Sequence, residues 1–94
     1  MDTKTIYKTV INMLQKNGAK KISIFGSRAK GLEKPDSDLD ILVEFSTIPT
    51  LLKIVKIERE LSEKIGIKID LLTEKAISPL LIDKIKREAI TIFG

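Results

Sequence analysis

Asp38 and Asp40 open a stretch, DLDILVEF, that is otherwise mostly apolar. Two residues apart on an extended backbone, their carboxylates leave the same face of a strand. Asp70 stands between Ile69 and Leu71 in a second such stretch, IKIDLL. Should the two strands lie near each other, all three carboxylates gather on one sheet face. Ionised groups that close repel and lose hydration, so a proton, a basic side chain or a metal ion must compensate. A hard divalent cation suits an all-oxygen set: Mg²⁺ takes one or two carboxylates and leaves its remaining positions to water and phosphate. Two such ions, about 3.5–4 Å apart, activate an attacking oxygen and stabilise a leaving one. Gly26-Ser27 follows the apolar run KKISIF. A glycine there lets backbone approach a ligand, the N–H groups of a helix start attract phosphate oxygens, and the Ser27 hydroxyl adds a donor. Arg28 and Lys30 come next and can pair with phosphates or simply face water. The chain has no histidine and no cysteine. That excludes Ser/His and Cys/His nucleophilic catalysis, thiolate zinc sites and disulfides, and leaves acid–base and metal chemistry to carboxylates.

The elements that must position these groups are legible as periodicities. Ile6, Val10, Met13 and Leu14 are spaced as one face of a helix from Thr3 to Lys16, ended by Asn17-Gly18. Lys20 to Phe25 alternates as a strand. Ser27 is placed to cap a short helix that Gly31 closes, and Glu33 to Ser37 reads as a turn. Asp38 to Phe45 is a strand with Leu39, Ile41, Val43 and Phe45 on one face and Asp38, Asp40, Leu42 and Glu44 on the other. Thr50 to Ile65 is a helix whose stripe is read as Leu51, Ile54, Val55, Leu61 and Ile65, ended by Gly66. Ile67 to Leu72 is a third strand, and Ser78-Pro79 starts a final helix to about Glu88. Residues 89–93, AITIF, either continue it or form a short edge strand. The expectation is one α/β (α+β) domain over 1–94, order α-β-α-β-α-β-α. Its small mixed sheet has three core strands, with room for a short fourth, and helices packed on it.

The whole string FGSRAKGLEKPDSDLDILVEF places ten residues between Gly26-Ser27 and Asp38-Leu39-Asp40, with Asp70 on a later strand. In this the sequence resembles the polymerase-β-like nucleotidyltransferase superfamily. Its length, and the pattern running through Asp70 to the terminal REAITIFG, look most like the minimal nucleotidyltransferase (MNT) domains. The resemblance implies that Asp38, Asp40 and Asp70 are catalytic and hold two Mg²⁺ ions. Asp38 and Asp40 would contact both metals and the triphosphate; Asp70 would hold the catalytic metal and help deprotonate the acceptor. Gly26 and Ser27 would cradle the terminal phosphates of ATP, with Arg28 and Lys30 beside them. Lys30 departs from relatives that often carry Arg there, keeping the charge but not the two-pronged fork. Minimal members are often antitoxins paired with a helical HEPN ribonuclease toxin. The resemblance therefore implies AMP transfer from ATP to a toxin tyrosine, with neutralisation by occlusion alone as the alternative. The apolar stretches Ile48–Leu52 and Ile77–Ile82 are candidates for such docking.

Charge and composition bound the rest. The formal net charge is +4, and charged residues make up 32%. This balance suits a phosphate-bearing ligand or an acidic partner. Direct nucleic-acid binding is the weakest reading, because Tyr7, Phe25, Phe45 and Phe93 are scattered rather than interleaved with a basic stripe. No apolar run approaches the roughly 18 residues of a membrane span. The N-terminus lacks the apolar stretch of a signal peptide, so the expected location is the cytoplasm.

Overall fold

A computed structural model describes residues 1–34 and 37–94. The middle of the turn expected at Glu33 to Ser37 lies outside the described residues. The first helix, α1 (Thr3–Lys16), begins where the Asp2 carboxylate accepts the Thr5 N–H at 2.8 Å and buries Ile6, Val10 and Leu14. It ends at Asn17-Gly18, as the sequence implies. Strands β1 (Ala19–Phe25) and β2 (Leu39–Phe45) follow, then α2 (Leu51–Ile65), capped by the Thr50 hydroxyl and closed by Gly66 at φ 84°. Strand β3 (Ile69–Leu72), a 3-10 turn at Glu74–Ala76, helix α3 (Ile82–Glu88) and strand β4 (Ile90–Phe93) complete the chain.

The sheet order is β3-β2-β1-β4. Strand β1 is antiparallel to both β2 and β4, whereas β2 and β3 run parallel. The parallel pair is linked through α2, as a crossover requires. Helices α1 and α2 pack on one face of the sheet. There Leu14, Ile22, Ile24, Leu39, Ile41, Ile57 and Leu61 are fully buried. Alternation then commits the other face: Asp40, Leu42, Ser23 and Asp70 point away from this core. Part of that second face is covered by the 3-10 turn and α3. Between them and the sheet lies a cavity of about 170 Å³ lined by Ser23, Leu42, Thr91 and the Glu74–Lys86 ion pair, among others.

This is the expected mixed α/β architecture, with the tail at 89–93 resolved as the short fourth strand. Three local expectations are corrected. The short helix expected after Ser27 is a run of turns from Gly26 to Gly31, closed by Lys30 N–H to Ser27 O at 3.2 Å and Leu32 N–H to Ser27 O at 2.9 Å. Glycines at φ 73° and 70° bound it, and the few residues between them cannot offset the cost of nucleating a helix. The final helix begins at Ile82, not Ser78. Its leading turn is held by Ser78 O, but Leu81 sits at φ −110° and interrupts the regular geometry. The core-facing stripe of α2 is the buried Ile57 and Leu61 flanked by the half-buried Ile54 and Ile65. Leu51 and Val55 are 75% and 52% exposed. The spacings of three, four and four residues follow one helix face, whereas Leu51 and Val55 lie off it. Among the described residues no helix is long and apolar enough to cross a membrane.

Candidate active site

The register places the acids together. Asp40 lies opposite Phe25 on β1 and opposite Asp70 on β3, so the last residue of β1 and the two acids form one row across the sheet. Asp38 precedes β2, and its backbone neighbour Leu39 donates to Lys68 O at 2.9 Å. Gly26 follows directly after Phe25. A Cβ built on it would stand 2.2 Å from Asp40 Oδ2, far inside contact distance, and its φ is 73°. The Asp40 carboxylate therefore occupies the space that a side chain at position 26 would fill. The glycine is required here for close approach as well as for backbone conformation.

The electrostatics mark Asp40 as the strained member. Its pKa is pushed up to about 6, first by burial, then by a hydrogen bond to the Asp70 carboxyl and by the negative charges of Asp70 and Asp38; Lys68 opposes the rise. Lys68 Nζ stands 3.9 Å from Asp38 Oδ2 and 4.0 Å from Asp70 Oδ1, with 70% of its side chain exposed. These contacts are at the outer limit of an ion pair and open to water, so they compensate the cluster weakly. Lys68 lies two residues from Asp70 on the same face. That spacing was visible in the sequence, but it gave no cue to a role.

The basic residues following Gly26 are already engaged. An Arg28 Nη donates to Ser37 O at 2.9 Å, which ties the Gly26–Gly31 turns to the residue before Asp38. Lys30 Nζ lies 3.4 Å from a Glu88 carboxylate oxygen on α3. With turns in place of a helix at 26–31, no helix N-terminus is presented to phosphate there. What remains for phosphate is the glycine bend, the half-buried Ser27 and the neighbouring cations.

The donor chemistry suits magnesium. The acids offer carboxylate oxygens, and Asp40 resists ionisation unless something positive joins it. Among the described residues no three acidic groups already converge as a metal cage. Because Asp40 must lose its proton to bind a cation, Mg²⁺ affinity is expected to rise with pH and level off above about 6. The sign for folding is opposite. The unfolded chain releases this proton near the ordinary value of 3.8, the folded chain only near 6, so this group's stabilising contribution is lost as pH rises through that window. Calorimetric Mg²⁺ titration at pH 5 and pH 7.5 checks the first statement; equal affinities contradict it.

Residues 7–92 match the nucleotidyltransferase domain family. A Methanocaldococcus jannaschii protein, named as a candidate protein adenylyltransferase, is 44% identical over 92 residues, covering 98% of this chain and 99% of the relative. The solved structure of a candidate minimal nucleotidyltransferase superposes with a TM-score of 0.80 at 34% identity, over 96% of this chain and 95% of that one. A structure of a tri-AMPylated Shewanella oneidensis HEPN toxin in complex with MNT antitoxin gives a TM-score of 0.79 at 18% identity, over 97% of this chain and 71% of that chain. The last likeness is one of fold. The match over nearly the whole chain, and the acids and glycine bend that sit where the sheet brings them into one row, lead to the same place: this chain belongs to the nucleotidyltransferase domain family.

Proposed function

We propose that the chain transfers AMP from ATP to a hydroxyl, namely a tyrosine of a HEPN-type toxin partner, and so acts as an antitoxin. The observation that carries the reading is Asp40, held against Gly26 and facing Asp70 in register. The names of the relatives, protein adenylyltransferase and MNT antitoxin with an AMPylated HEPN toxin, support the donor and the acceptor. Asp38, Asp40 and Asp70 would hold two Mg²⁺ ions. When bound, these neutralise the triphosphate and make the α-phosphorus a better electrophile.

The chain's own residues supply the rest. Gly26 lets the triphosphate approach the backbone beside Asp40, and the Ser27 hydroxyl donates to it. Asp70, on the edge strand, takes the proton of the acceptor hydroxyl. The acceptor oxygen then bonds to the α-phosphorus, the bond to the β-phosphate bridging oxygen breaks, and pyrophosphate leaves. Leu51, Leu52, Leu80 and Leu81 are exposed and offer apolar surface for a protein acceptor. The nucleophile belongs to the partner, so a small domain needs no acceptor pocket of its own.

One observation favours the occlusion reading: Lys68 already stands between Asp38 and Asp70. The two readings separate in one experiment. The wild type and an Asp38→Asn/Asp40→Asn variant are each mixed with the toxin, ATP and Mg²⁺. Neutralisation lost in the variant is the expected result. Neutralisation retained by it, with no nucleotide on the toxin, contradicts the catalytic reading.

A further inference from the structure

Asp70 lies on one of the two short edge strands of the sheet. Strand β3 has four residues, sits at an edge and, among the described residues, pairs only with β2. In a parallel ladder the N–H groups of alternate residues point to the partner strand. Those of Ile69 and Leu71, on either side of Asp70, point to the open side. Both are taken by α2. Ser62 Oγ accepts the Ile69 N–H at 3.1 Å, and Glu58 Oε2 accepts the Leu71 N–H at 2.8 Å. The match is geometric. Residues four apart on a helix share a face and lie about 6 Å apart along it; residues two apart on a strand are separated by about 6.6 Å. Helix and strand run in opposite directions through Gly66, so the later helix residue meets the earlier strand residue.

We infer that Glu58 and Ser62 are positioning residues for Asp70: a helix-borne clamp that fixes the register of β3 and so holds the Asp70 carboxylate opposite Asp40. This rests on the reading of Asp70 as a catalytic carboxylate. A slip of one residue would turn Asp70 into the core and Ile69 or Leu71 toward the substrate. The pairing with β2 alone has few bonds with which to prevent it. The clamp also covers a bare strand edge. If covering the edge were all it did, its loss would affect stability and leave turnover alone.

Turnover and nucleotide KM are measured for the wild type, Glu58→Ala, Glu58→Gln and Ser62→Ala, with hydrogen exchange of the Ile69 and Leu71 amides in the same samples. Glu58→Ala is expected to lower kcat by about tenfold or more, because a loosened β3 displaces Asp70 and misplacement of about 1 Å costs about a hundredfold. KM should change by less than about twofold, since an orienting group acts in the transition state. Exchange at Leu71 should quicken. Glu58→Gln retains an acceptor oxygen and should recover most of the turnover; Ser62→Ala, which keeps the charged acceptor, should fall between. A kcat within twofold of wild type in Glu58→Ala, with Leu71 exchange accelerated, overturns the clamp. If the wild type transfers no nucleotide, the functional reading fails separately. The clamp is then judged by Mg²⁺ titration, where weakened binding in Glu58→Ala upholds it and unchanged binding refutes it.

Discussion

Replacing Gly26 by alanine should lower nucleotidyl transfer by about a hundredfold or more in a protein that still folds. The added Cβ meets Asp40 Oδ2 at 2.2 Å, so either the carboxylate turns away from Asp70 or the bend opens. A misplacement of about 1 Å in a reacting constellation costs about a hundredfold in rate. The backbone penalty is smaller, about 1–2 kcal/mol for a left-handed residue other than glycine. Gly31→Ala is the matched control. It carries the same kind of strain at φ 70° but has nothing within 4 Å of its added Cβ. Both variants should melt at similarly lowered temperatures, and only Gly26→Ala should lose transfer to that extent. Equal activities in the two would remove the close approach from the account.

Asp40→Asn should separate stability from function. At neutral pH the ionised Asp40 is held near Asp70 and Asp38 in a partly buried place, an arrangement the fold tolerates at a cost. The neutral amide relieves that cost. The variant should therefore melt at a higher temperature than the wild type at pH 7.5. Its advantage should be smaller at pH 5, inside the window from about 6 down to 3.8 across which the penalty is lost. Its transfer rate should fall by about a hundredfold or more if Asp40 holds the metal as proposed, since even the loss of a ligand's partner costs about 10–100-fold. Destabilising charge retained at a working site is a common exchange of stability for activity. Melting curves at the two pH values, together with turnover, check this; a variant less stable than wild type at pH 7.5 contradicts the assignment of Asp40 as the strained member.

What could be read in the chain depended on whether a residue's role is local. Strand alternation put Asp38, Asp40 and Asp70 on one face, but only their spacing from Gly26-Ser27 and the family resemblance pointed to a site. Gly26-Ser27 was legible as a bend, but the helix expected beyond it was not formed, since a cap residue does not guarantee enough residues to nucleate. The face of α2 was misread at Leu51 and Val55. Both are apolar at helical spacing, and only packing against β3 selects Ile57 over them. Glu58 and Ser62 were invisible for a related reason. A glutamate and a serine four apart on an amphipathic helix look like a solvated face, and nothing local says that two strand N–H groups, 7 and 13 residues further on, lack partners. Arg28 and Lys30 could be read only as cations following the glycine bend. Their partners, Ser37 and Glu88, are set by the tertiary fold.

The central claim is that the acid row beside Gly26 moves a nucleotidyl group with the help of a divalent cation. The most direct test supplies the toxin partner with ATP labelled at the α-phosphate or, separately, at the γ-phosphate, with Mg²⁺ or with a chelator. The account predicts that α-label joins the partner only when Mg²⁺ is present, while γ-label leaves in pyrophosphate. Transfer of γ-label, or α-label transfer undiminished by the chelator, would contradict it.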